Sequence, residues 1–431
     1  MIRHGKLKFG KLVSRSALGA ALAFGVVAGG ATISTPAYAQ KGFSKPFVAA
    51  AQPVQEGLGQ IETQKNSGAD VSAAVSALKP QVEAAAAAAS TPKDMMTAGQ
   101  FLLNLGTLGE DMMLRQRGVQ MILDSGQLEA AKVPQFQYYL GNFAYSNKEY
   151  ATAASALKAA KAGGYSESNL VPLMLQSYAD AGQPAQAIAA LKELIATQKA
   201  AGQPVPADWT SRGSLIAYKA NMGKEAAELA TMQAQADPTP LNWLNAAQMT
   251  RSFNQFDGQI SLDLFRLMDR SGALDADAQY TRNEYKEYIE TADPRRFPGE
   301  VVRIIDKGVS KGALDGSEQW IKESRQTASG RVASDKASLS GDVASAKSNG
   351  RSAQALADAF LNYGDAAQAE ELYAAALSAG GQIDRDLIYT RMGIAQLDQG
   401  KIAEAKDSFT KVNGSRAPVA NLWLAYAETQ A

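Results

Sequence analysis

Gly182-Gln183-Pro184-Ala185-Gln186-Ala187-Ile188-Ala189-Ala190-Leu191-Lys192-Glu193-Leu194 is the stretch on which the fold turns. A glycine is followed by a small residue, Ala187, and then by the large apolar Leu191 and Leu194. The same offsets recur after Gly364, with Ala369, Tyr373 and Ala376, and after Gly400, with Ala405, Phe409 and Val412. Lys148 opens a further copy with Ala153, Leu157 and Ala160, 34 residues before Gly182. A unit of this length cannot bury its apolar face alone, so recurrence at this period means stacked units, each covering its neighbour. Ala187, Ile188, Leu191, Leu194 and Ile195 lie three and four apart, on one side of a helix, with Gln186, Lys192 and Glu193 on the other. No segment sustains the alternation of a strand. The sequence predicts an all-α fold, an α-solenoid of about nine stacked helical hairpins.

Helix ends carry their own marks. Gly126, Gly163, Gly202, Gly272, Gly312, Gly350, Gly380 and Gly414 each follow an amphipathic stretch, where a left-handed C-cap is wanted. Pro238 stops a further helix near residue 236. These marks divide residues 94–414 into nine units of about 36 residues, room for two helices of roughly 13 residues and two turns. Asp365 with Gln368 fits a helix cap, and Asp407 with Lys411 an exposed pair four residues apart. Residues 40–60, with Gly42, Pro46, Pro53, Gly57 and Gly59, read as an extended or loosely helical lead-in. Residues 69–90 are helical by propensity, with a kink or break expected at Pro80. The expected layout is a signal peptide (1–39), a lead-in with an Ala-rich helix (40–93), N-terminal repeats (94–236), divergent hairpins (237–350) and C-terminal repeats with a capping helix (351–431).

The first 39 residues read as an export signal. Arg3, Lys6, Lys8, Lys11 and Arg15 form a basic start, residues 17–31 are apolar and rich in Gly and Ala, and Ala37-Tyr38-Ala39 is a small-x-small cleavage site. Cleavage after Ala39 predicts a periplasmic or secreted chain beginning at Gln40. Losing five of 43 basic residues leaves 38 against 43 acidic ones, a net charge of −5. That balance argues against nucleic acid or anionic lipid as a partner, and no later apolar run approaches membrane-spanning length. The chain has no Cys, and its only His is His4, inside the leader. Disulfides, thiol nucleophiles, Ser-His-Asp triads and His/Cys zinc sites are thereby excluded from the mature chain. No enzymatic activity, cofactor or metal is expected.

The recurring residues resemble the tetratricopeptide repeat family. The small or mid-sized position inside helix A falls on Gly141, Leu175, Ala357 and Gly393, and the position three later on Ala144, Tyr178, Phe360 and Gln396. Four units, 135–161, 169–198, 351–379 and 387–414, carry the pattern. A fifth carries it in part, from Trp209 with Tyr218 and Ala227. The resemblance implies a non-enzymatic scaffold that binds a protein or peptide of unnamed identity in a concave groove lined by helix A. By family position, the groove residues are Tyr138, Asn142 and Tyr145, then Gln176 and Asp180, then Asp358 and Asn362. Tyr138 stands where carboxylate-clamping members carry Lys, so that clamp is not met.

A second candidate surface is the aromatic and charged stretch 280–297, with Arg282, Tyr285, Tyr288, Arg295 and Arg296. Its alternative role is packing between hairpins. Two other classes of function compete with the scaffold. One is a glycan-binding or polymer-export accessory protein whose aromatics stack on sugars. The other is a lytic transglycosylase, for which Glu167-Ser168 supplies the acid-serine pair without the downstream segment of that class. The sequence leaves partner and oligomeric state open.

Overall fold

The computed structural model describes residues 42–430, which form twenty α-helices joined by short turns, with no strand among the described residues. The chain divides into two compact units, Met1–Ala130 and Ala131–Ala431.

The first unit holds α1 (Lys45–Asn66), α2 (Ser72–Ala88), α3 (Pro92–Leu108) and α4 (Met112–Asp124). The lead-in is a full helix, not an extended segment. Ser44 caps α1 by accepting from the Phe47 N–H, and Phe47, Ala51, Val54, Leu58 and Ile61 bury one stripe. Pro53 sits inside that helix on its exposed side, so the Ala49 carbonyl that it leaves without an N–H is exposed too and can be met by water. In the same way α2 continues through the exposed Pro80 without a break, because Val75, Leu78, Val82 and Ala85 keep one buried stripe on both sides of it. The buried Asp94 carboxylate accepts from the backbone N–H groups of Ser44, Ser90 and Thr91 at 3.0–3.1 Å, tying the chain's entry to α3. Where α3 crosses α4, a Cβ on Gly118 would stand 2.5 Å from the Leu103 nitrogen, so only glycine lets these backbones touch.

The second unit begins with three regular hairpins. These are α5 (Val133–Ser146) with α6 (Tyr150–Ala162), α7 (Leu170–Asp180) with α8 (Pro184–Ala200), and α9 (Ala207–Lys219) with α10 (Gly223–Ala236). Next come α11 (Pro240–Ser252), α12 (Gly258–Arg270), α13 (Ala278–Ala292), α14 (Pro298–Ser310) and the long α15 (Gln319–Ala346). The pairs α16 (Gly350–Asn362) with α17 (Ala366–Ala379) and α18 (Arg385–Asp398) with α19 (Ile402–Thr410) follow, and α20 (Ala417–Glu428) ends the array. Ala153, Ala187, Ala369 and Ala405, the small residues of the recurring pattern, are all fully buried. A Cβ at Gly141 would stand 2.5 Å from Leu157 Cγ, and one at Gly393 2.6 Å from Phe409 Cε1, which is why the pattern asks for a small side chain there. Six of the eight glycines expected to cap helices have positive φ. Gly163 is one residue early, since Gly164 takes that conformation, and Gly350 opens α16 against the Gly380 carbonyl.

Through the middle, the hairpins run one helix out of phase with the sequence reading. In the first three hairpins α5 touches α7 and α7 touches α9. From α12 onward the layer in mutual contact is α12, α14, α16, α18 and α20. The repeating pairs are therefore α12/α13 and α14/α15, and α11 is the unpaired helix where the register shifts. Glycine ends both helices of a hairpin here, Gly182 and Gly202 alike, so the glycine marks could not tell which helix of a pair they closed. Nine hairpins are present among the described residues, counting α1/α2, with α11 and α20 single.

That layer closes on itself. Contacts run from α12 to α14, α16, α18 and α20, and α20 returns to α10, α11 and α12. The Trp243 and Tyr426 rings meet edge to face at 5.5 Å, and the Trp423 indole N–H donates to the Asp263 carbonyl at 3.0 Å.

Candidate functional site

The core of the closed layer is ionic. Asp263 is fully buried and holds three arginines. Its Oδ1 accepts from Arg266 Nη1 and Arg391 Nε, each at 3.0 Å, and its Oδ2 from Arg416 Nη1 at 2.8 Å. Arg266 grips Glu300 with two parallel bonds of 2.9 and 2.7 Å, and Arg391 reaches Asp358 at 2.7 Å. Tyr288 donates to Glu300 and Tyr373 to Asp358. Three carboxylates face three guanidiniums, so the cluster is neutral and its charges are hydrogen-bonded, the condition under which burial of ions is tolerated. Burial alone would raise the Glu300 carboxyl, but the charge and hydrogen bonds of Arg266, with the Tyr288 hydroxyl, bring it down to about 2. Burial, then the Glu300 charge, pushes the Tyr288 phenol well up.

These contacts reassign several predicted residues. Asp358 is buried against Arg391 and Tyr373, and Asn362 is buried with its Oδ1 accepting from the Glu300 N–H at 2.8 Å. Asp358 lines no cavity among the described residues, and Asn362 reaches one only at the ends of α12 and α16. Tyr285 and Tyr288 are fully buried, with the Tyr285 hydroxyl donating to the Leu274 carbonyl, so these two rings belong to the core and form no aromatic surface. Arg282, Arg295 and Arg296 are exposed; Arg282 donates to the Ala313 carbonyl, and Arg296 lies over the Phe297 ring.

On the α5, α7 and α9 face three of the predicted residues do come together. Tyr145 donates to Asp180 at 3.0 Å, and Gln176 donates to the other Asp180 oxygen at 2.7 Å. Arg212, which sequence reasoning missed, extends the row by donating to Gln176 at 3.3 Å, and its Nε is buried without a partner. It stands 36 residues after Gln176, one repeat on, and that spacing was the signal for it. Burial, then Asp180, pushes the Tyr145 phenol up to about 12, so it remains a donor at neutral pH. Tyr138 and Asn142 are buried on this helix instead of facing outward. The Tyr138 hydroxyl donates to Asn169 at 2.7 Å, and the Asn142 amide to the Tyr138 carbonyl at 2.9 Å.

A cleft of about 1090 Å³ lies between α10, the end of α11 and α20. Its floor includes Ala227, Met232, Phe253, Pro418 and Leu424, and its rim carries Lys224, Glu228, Gln255, Asn421 and Glu428. No sequence signal marked it, because it is made by the return of α20 across the array.

No family model matches the chain, and no curated protein does either. Among solved structures, a tetratricopeptide repeat protein from Parabacteroides merdae is similar at 11% identity and TM-score 0.28, over 68% of this chain and 99% of that one. The Naa15/Naa10 structure bound to HypK-THB matches at 13% identity and TM-score 0.31, over 86% and 60% of the two chains. A human IFIT1 dimer with PPP-AAAA matches at 12% identity and TM-score 0.21, over 85% and 88%. Superpositions at these scores carry no detail of a site, and the all-α repeat architecture stands on the hairpins themselves.

Proposed function

We propose that this protein is a non-enzymatic interaction scaffold of the periplasm that binds a protein segment along the α5, α7 and α9 face. The observation that supports this is the row Tyr145, Asp180, Gln176 and Arg212. It presents donors and acceptors from three successive hairpins, and Arg212 Nε has no partner. An extended chain running across the hairpins would meet polar groups on each helix, with Arg212 Nη2 left to take a backbone carbonyl or a carboxylate. The exported location rests on the leader alone, residues 1–39, which lie outside the described residues. N-terminal sequencing of the native protein should find Gln40 in the soluble periplasmic fraction, and Met1 in membranes would refute that part. For binding, the tagged chain is crosslinked in its own envelope and recovered. Gln176→Ala with Arg212→Ala should lose the partner and keep the circular dichroism of the wild type. Undiminished recovery by a folded double variant would remove the site from this face.

A further inference from the structure

A second cavity, of about 400 Å³, opens where the ends of α12 and α16 meet the start of α14 and the middle of α15. Its charged lining is Asp269, Arg270, Arg303 and Lys336, three cations to one carboxylate. The carboxylate is already engaged. Asp269 accepts from Arg303 and from Lys307, the latter at 2.9 Å, and its side chain is only 7% exposed. Arg303 spends Nη1 on that pair, and its Nε and Nη2 make no hydrogen bond among the described residues. Lys336 makes no ion pair or hydrogen bond among the described residues, and its ammonium sits 5.3 Å over the Tyr363 ring. Arg270 is held by Asp398 through Nε and Nη2, at 2.7 and 2.6 Å.

A neutral donor completes the lining. Asn362 is 93% buried, and its amide orientation is fixed, because the Glu300 N–H can be met only by the oxygen of that amide. Nδ2, a donor with two hydrogens, is therefore the end of the side chain left for the cavity and the neighbouring Tyr363. A cavity of this size, with one cation outside any ion pair (Lys336), an arginine with two nitrogens to spare (Arg303), an amide donor and its one carboxylate neutralised, is complementary to an oxyanion. We infer that it binds a phosphoryl- or carboxylate-bearing ligand, with Arg303 and Lys336 as the charged contacts and Asn362 as the neutral donor. The chemistry common to both sources is a compact anionic group with several acceptor oxygens.

The full mature chain is titrated with inorganic phosphate and separately with acetate, at constant ionic strength and low chloride, by calorimetry. Saturable binding of phosphate alone assigns a phosphoryl group, and binding of acetate as well assigns a carboxylate. Lys336→Met should weaken either by about tenfold, the loss of one charge-assisted contact, and Lys336→Glu should abolish it. Lys336 is exposed, so both variants keep the fold, which circular dichroism verifies. Lys322→Met, another exposed lysine of α15, should bind as the wild type does. No saturable binding of either anion, or an equal loss in Lys322→Met, overturns the assignment.

Discussion

Asp263→Asn removes the charge that three arginines share while keeping the side chain's volume nearly constant. Arg266 would retain Glu300 and Arg391 would retain Asp358, but Arg416 would be left with only Asp384, 3.7 Å away at the surface. The core would then hold one uncompensated positive charge. Removing one member of a buried pair costs about 3–5 kcal/mol. For a unit of about 300 residues that lowers the melting temperature by roughly 5–8 °C. The damage should not stay local. A repeat stack normally couples each unit to its neighbours only. Here Asp263 on α12 holds Arg391 and Arg416, 128 and 153 residues later in the chain. Hydrogen exchange should therefore accelerate in α18 and α20 together with α12. The control is Asp306→Asn, which breaks the exposed pair with Arg325 and should change stability by about 0–1 kcal/mol. Denaturation by guanidinium gives the magnitude and amide exchange gives the reach. Stability within about 1 kcal/mol of the wild type would refute the ionic closure. So would faster exchange confined to α12.

Glu300 ties stability to acid. Its folded pKa of about 2 lies below the ordinary 4.5, so its contribution is complete above pH 4.5 and is lost as pH falls toward 2. The span corresponds to about 3 kcal/mol, and Glu300→Gln should flatten the wild type's acid-denaturation curve across that window. Tyr138→Ala with Asn142→Ala should lower the unfolding free energy by more than about 3 kcal/mol, since both side chains are buried; an unchanged denaturation midpoint would return them to the surface. Gly393→Val should cost about 1–3 kcal/mol by driving a side chain into the Phe409 ring, and a silent substitution there would mean α18 and α19 do not meet as described.

The period, the helical class and the buried small residues were legible because they depend on local spacing. Ala187 and Ala405 had to be small whatever the rest of the chain did. Phase was not legible through the middle, since a helix inserted singly, α11, shifts the pairs up to α14/α15 without changing the glycine rhythm, and the long α15 fills a whole unit of that rhythm before the register returns at α16. The ionic core was illegible for a related reason. Asp263, Arg266 and Arg391 lie on amphipathic helices, where charged residues ordinarily mark the wet face. Only the return of α20 across α12 turns that face inward. Once the layer is closed, repeat spacing does show through it, since Arg266 and Glu300 are 34 residues apart and Asp358 and Arg391 are 33. Pro53 and Pro80 misled because the carbonyl that a helical proline leaves without a donor costs most when it is buried, and here Ala49 and Ser76, four residues before, are exposed. Family position named Tyr145, Gln176 and Asp180, which do lie together, but could not tell that Tyr138 and Asn142 turn inward on the same helix as Tyr145.

An ionic core needs a reason other than stability, because apolar residues of similar volume pack at least as well. Near-equivalent repeats supply one. An array of similar hairpins can close one repeat out of step with little change in apolar burial, so a competing register lies close in energy. In a slipped closure Arg391 and Arg416 would not meet Asp263, and charges would be buried unpaired. The cluster thus penalises the wrong register more than it favours the right one. Replacing Asp263 and Asp358 with Leu, and Glu300, Arg266, Arg391 and Arg416 with Met, tests this. The sixfold variant should keep or raise the midpoint of denaturation, yet unfold over a broader range with a smaller slope, as an ensemble of registers does. A lower midpoint with an unchanged slope would show that the charges stabilise the closed layer without selecting its register.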